Sequence, residues 1–137
     1  MIKHCALILL AIVLLSSRTF SQNHAKFKDI VPGMVDGDIE QRAIKIANQR
    51  AIDLRCPEDY TKAVIISRKW KHELDRNGFV TGRVIHLELY AEFPEGKCGM
   101  ADFIFKQKYT DEGGYSRKLF FISMGDMFTV ECETPVP

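Results

Sequence analysis

Hydrophobic and polar positions divide the chain into three regimes. Residues 5–15 (CALILLAIVLL) are apolar without a break. From residue 38 the apolar positions Ile39, Ala43, Ile46, Ala47, Ala51 and Leu54 recur at three- and four-residue steps. Glu40, Arg42, Lys45, Gln49 and Arg50 fall mostly on the other side. That period predicts one amphipathic helix of about 17 residues. Asp36 or Asp38 can cap its start, and Asp38 and Glu40 suit the positive end of its dipole. Arg55 suits the opposite end, and Pro57 stops the helix.

Beyond the helix the period falls to two. Lys62 to Leu74 begins Val64-Ile65-Ile66 and is rich in β-branched and aromatic residues, which predicts a long strand. Trp70 and His72 share one face of it, with Lys69 and Lys71 opposite. Arg83 to Phe93 alternates cleanly: Ile85, Leu87, Leu89, Ala91 and Phe93 on one face, His86, Glu88 and Glu92 on the other. This is the mark of a half-buried antiparallel strand. Met100 to Tyr109 follows, with Ala101, Phe103 and Phe105 on one face. Ser116 to Ser123 and Met127 to Cys132 read as one strand broken near Gly125, or as two short ones. Pro94 to Lys97 and Asp111 to Gly114 are turns. Ahead of the helix, residues 22–37 read as an arm with a short strand around Phe27 to Val31. The fold class expected is α+β: one N-terminal helix packed across a four- to five-stranded antiparallel sheet.

The leading apolar run changes the picture of the chain's ends. Lys3 and His4 precede it, and Ser16 to Ser21 follow it, small and polar. This is the three-part order of a secretory signal peptide, with cleavage expected after Ser21. The run is shorter than the roughly 20 residues that span a bilayer. Residues 22–137 then form a single domain, secreted, with no membrane association after cleavage. They carry 17 basic and 18 acidic residues, a net charge near −1. No basic stripe stands out, so nucleic-acid binding has no support. Cys5 leaves with the signal, and Cys56, Cys98 and Cys132 remain. In an oxidising compartment one disulfide and one leftover thiol are expected.

Candidate chemistry is sparse. Hydrolysis needs a nucleophile, a base and an orienting group, and no local signature joins them. His24 lies in the arm, and His86 sits on a polar strand face. There is no C-x-x-C and no H-x-x-x-H, so no metal is expected. Asp36 to Glu40 opens like a calcium loop, but Gln41 and Ala47 occupy the positions that need Gly and Glu. No phosphate-binding glycine loop is present. The expectation is a protein without catalytic residues and without a cofactor.

What remains is Gly78-Phe79-Val80-Thr81-Gly82, a glycine-bounded apolar segment between two strand patterns. Such a tip suits a contact surface. The order of arm glycine, helix, strand, a tip of the form x-φ-V-x-G, alternating strand, Cys-led strand and a last strand ending in Cys resembles the cystatin superfamily. The resemblance covers most of residues 30–132. In that family an arm glycine and two hairpins form a wedge that occludes the cleft of papain-like cysteine proteases. The resemblance implies that Gly33 is the arm glycine, that Gly78, Phe79, Val80, Thr81 and Gly82 enter the cleft, and that Cys98 pairs with Cys132. Gly78 stands where the family has Gln, and the second hairpin, around Thr110 to Tyr115, lacks Pro-Trp. The primary expectation is a secreted, reversible protease inhibitor. The alternatives are a non-inhibitory cystatin-like module, or a nuclear-transport-factor-like domain with an apolar pocket between helix and sheet.

Overall fold

The computed structural model describes residues 27–133. The expected signal segment, its cleavage point and His24 lie outside the described residues. Among the described residues no helix is long and apolar enough to cross a membrane.

Helix α1 spans Gly37–Asp53. The Asp36 side chain accepts from the Ile39 amide at 3.2 Å, so Asp36, not Asp38, is the cap. The helix ends before Pro57 can act. Arg55 takes a left-handed φ of 56°, its amide donates to Ile52, and the Cys56 amide donates to Ala51 at 2.8 Å. This six-to-one closure satisfies the orphan carbonyls, with arginine standing where glycine is commoner. Ile39, Ala43, Ala47 and Ala51 form the buried stripe. Three of these four are alanines, whose small side chains let the helix axis approach the sheet closely.

Six strands follow: β1 Asp59–Ile65, β2 Lys71–Leu74, β3 Val80–Glu92, β4 Cys98–Lys108, β5 Phe120–Met124 and β6 Phe128–Val130. All pairings are antiparallel. β1 and β2 flank the same side of β3; β5 and β6 flank the same side of β4. The sheet therefore has four ranks with the helix across one face. The expected long strand from Lys62 to Leu74 is interrupted. At residues 66–70 the chain leaves the ladder, and the Ile66 and Ser67 amides both turn to the His86 carbonyl. The last rank is two strands split around Gly125, whose amide donates to the Asp102 carbonyl at 2.8 Å.

The helix-facing side of the sheet buries Ile85, Leu87, Leu89, Ala91 and Phe93 with Ala101, Phe103 and Phe105. Tyr60 meets Phe103 edge-on at 5.3 Å between centroids. Asn48 ties helix to sheet: its side chain accepts from the Tyr60 amide at 2.7 Å and donates to the Tyr60 carbonyl at 2.8 Å. Both backbone groups are thereby satisfied at a bulge in the edge strand.

The opposite side holds a second, smaller cluster of Phe27, Tyr90, Cys98 and Val130. Here the Phe27–Val31 segment forms a 3₁₀ turn, Phe27–Asp29, instead of the expected strand. Phe27 packs on the Tyr90 ring at 5.4 Å, which takes the segment over the sheet face and away from its edge. Cys98 and Cys132 are bonded, joining the start of β4 to the chain beyond β6. Cys56 is also disulfide-bonded, and among the described residues no cysteine is free, so the expected leftover thiol is not found.

The arm therefore begins on one face and crosses to the other, where Met34 packs on the main core. Gly33 is the crossing point. Its amide donates to the Ile65 carbonyl at 2.8 Å, and a β-carbon there would lie 2.3 Å from the Ile66 carbonyl oxygen. The gap between β1 and β2 is what admits it. Gly33→Ala should cost about 1–3 kcal/mol through this overlap, measurable as a lowered urea midpoint; an unchanged midpoint would contradict the crossing.

Glu88 and Asp102 face each other across β3 and β4. Burial pushes the Glu88 carboxyl up to about 8, helped by a hydrogen bond to Asp102 and by its charge. Below that value the native state holds a proton that the unfolded chain releases at ordinary carboxylate pH. Stability should therefore fall as pH rises from about 5 through about 8. Glu88→Gln should flatten that fall in a series of thermal melts, whereas an unchanged slope would place the titration elsewhere.

Candidate functional site

The β2–β3 connection is an ordered turn. The Gly78 amide donates to the Asp75 carbonyl at 3.1 Å, and the Asp75 amide donates to the Phe79 carbonyl at 2.9 Å. The Asp75 carboxylate accepts from the amides of Asn77 at 2.8 Å and Phe79 at 3.0 Å. This carboxylate bridge pins the tip through backbone groups alone. Gly78 closes the turn at φ 84°, a conformation glycine adopts without cost.

The five residues expected at the tip separate into two roles. Gly78 and Phe79 belong to the turn. Val80, Thr81 and Gly82 lie within β3. A β-carbon on Gly82 would meet Lys106 Cε at 2.7 Å, and this space lets the Lys106 ammonium reach Glu73. Phe79 is 69% exposed and Leu74, just before the turn, is 61% exposed. Gly33 is not brought beside them. It packs at the level of His86, seven residues along β3 from Phe79, which is about 23 Å at the usual rise per strand residue.

A second turn stands at the same end of the sheet. Thr110 and Gly114 close it at 2.7 Å, Gly113 takes φ 86°, and Tyr109 bridges to Tyr115. The Thr110 hydroxyl donates to the Gly114 carbonyl at 3.0 Å, a side-chain lock comparable to that of Asp75. The Tyr109 amide donates to the Thr81 carbonyl at 3.0 Å, which fastens the two loops to each other.

Between the loops and the helix lies a cluster of aromatic and cationic side chains. The Arg83 guanidinium sits 4.1 Å from the Trp70 centroid and 4.2 Å from that of Tyr115. Its Nε and Nη2 donate to Gln107 Oε1 at 3.0 and 2.8 Å. Gln107 is only 4% exposed, so this contact satisfies a buried amide oxygen. Desolvation lowers the Arg83 pKa. The Tyr115 hydroxyl and His72 Nδ1 are 2.6 Å apart. Trp70 also packs against the edge of the main core.

Two ordered loops with exposed apolar groups, above a braced cation, suit recognition of a surface or a groove. The described histidines, His72 and His86, engage Tyr115 and the solvent respectively. Among the described residues no group of three or more His, Cys, Asp or Glu is placed to hold a metal ion. No protein-family description, no curated protein and no solved structure matches the chain.

Asp75 was not singled out by sequence pattern, although Asp-x-Asn-Gly is a recognisable turn signature. Arg83 and Tyr115 carry no such signal, because their partners come from three separate segments. Asp75→Ala should cost about 1 kcal/mol in stability and speed amide hydrogen exchange at Asn77 and Phe79. Retained protection at both amides would contradict the carboxylate lock.

Proposed function

We propose that the protein is a secreted binding protein that acts by docking its paired-loop edge into the cleft of a papain-like cysteine protease. The observation that carries this reading is Phe79, an aromatic side chain largely exposed on a turn that Asp75 holds closed. An exposed phenylalanine on a rigid tip loses little conformational freedom on docking, so its burial in a groove is converted efficiently into affinity. The loop at residues 109–115 stands beside it as a second contact. The apolar run at residues 5–15 and the Cys98–Cys132 bond support an exported protein. Occlusion needs no covalent step and no cofactor.

The edge involved differs from a three-part cystatin wedge. Gly33 is engaged by the Ile65 carbonyl, so the arm leaves the contact to the two loops. That same observation favours a second reading, a non-inhibitory module that uses the edge on another protein. The space between helix and sheet is filled by Ile39, Phe103, Phe105 and their neighbours, which favours either edge reading over a pocket for an apolar ligand.

The test is titration of papain activity with the protein produced from the full chain. Reversible inhibition is expected, with Phe79→Asp weakening it at least tenfold, as loss of a central aromatic contact does. Ile52→Asp, exposed on the helix, should leave inhibition unchanged. Absence of inhibition at micromolar protein would overturn the protease reading and leave the second.

A further inference from the structure

The fold sorts charge in a way the linear sequence conceals. Residues 68–83 and 106–118 carry nine basic and four acidic side chains. The other described residues carry seven basic and fourteen acidic ones. Antiparallel pairing of β3 with β4 brings both basic segments to the loop end of the sheet. The linear sequence shows no single basic run, and the excess of cations at this end comes from two segments that strand pairing brings together. Of the four acidic groups in these segments, Glu73 is taken up by Lys106 and Asp75 by its own turn, while Asp111 and Glu112 stay exposed in the 109–115 loop. Asp38 at the helix start is taken up by Arg42 at 2.8 Å.

Arg83 stands at the centre of this end. Two rings, Trp70 and Tyr115, flank its guanidinium, and Gln107 holds one edge. Among the described residues no carboxylate pairs with it and no acceptor meets Nη1. A half-buried guanidinium flanked by two rings, with one edge on Gln107 and no acceptor at Nη1, is matched to a carboxylate, which it can bind through parallel N–H donors. We propose that the loop end engages an acidic protein surface, with the stacked Arg83 receiving a carboxylate of that partner. This rests on the reading that the loop end is the contact edge, and it adds the partner's chemistry. A protein partner is favoured over a nucleic acid because the facing sides of Trp70 and Tyr115 are already occupied by Arg83. A base would have to displace the cation to stack there.

The probe is a short glutamate-rich peptide titrated into isotope-labelled full-length protein and followed by NMR. No protease is present, so the outcome is independent of papain inhibition. The peptide should move the Arg83 Nε–H resonance and the amides of residues 109–118, with affinity falling as salt rises. Arg83→Lys keeps the charge and loses the fork, and should weaken binding about tenfold, the scale of one charge-assisted hydrogen bond. A thermal melt confirms that the variant is folded; if it is not, Lys118→Glu replaces it and should also weaken binding. The proposal is overturned if the Arg83 resonance does not move, or if neither folded variant weakens binding. It is equally overturned if an oligothymidylate of the same charge binds more tightly at Arg83. Occupation of Arg83 by a second copy of the chain, seen as shifts that grow with protein concentration alone, would also overturn it.

Discussion

The structure depends on β3 being paired on both sides and buried along its helix-facing side from Ile85 to Ala91. Its thirteen residues, Val80–Glu92, take β1 and β2 on one flank and β4 on the other. One face carries Ile85, Leu87, Leu89 and Ala91 into the helix; the other carries Val84 and Tyr90 inward, Tyr90 against the arm and the Cys98 bond. A shift of one residue in register would exchange those faces and bury His86 and Glu92 under the helix. The tip at Asp75–Phe79 leads directly into this strand, so the most constrained element of the fold orients the exposed phenylalanine.

Periodicity revealed the helix and β3 well because each buries a continuous stripe. The Ile39–Ala51 spacing and the 85–93 alternation are local patterns, readable without tertiary knowledge. The interruption at residues 66–70 is not local. It exists because the arm must cross the sheet edge at Gly33, and β-branched Ile65-Ile66 gives no hint of that crossing. Phe27 likewise reads as a strand residue by composition and becomes a turn residue because Tyr90 waits on the face of the sheet. The Cys98–Cys132 bond followed from the resemblance to cystatins and is present. The leftover thiol was an inference from counting three cysteines and fails because Cys56 is bonded.

The site was half legible. Gly78 and Gly82 read in sequence as the two bounds of one tip, yet one glycine bends the chain while the other lies within β3 and makes room for Lys106. Arg83 was invisible because its environment is assembled from Trp70, Gln107 and Tyr115. The charge segregation was invisible for the same reason: antiparallel pairing, not sequence adjacency, gathers the cations. These features place rigidity, apolar exposure and positive charge at one end of the sheet, where a partner would meet all three at once.

The central claim is that this end is the binding edge. Hydrogen–deuterium exchange of the full-length protein with and without papain tests it most directly. The account predicts added protection confined to residues 75–79 and 109–115, with α1 and β5 unchanged. Protection centred on α1 or on β5 and β6, with the two turns exchanging freely in the complex, would contradict it.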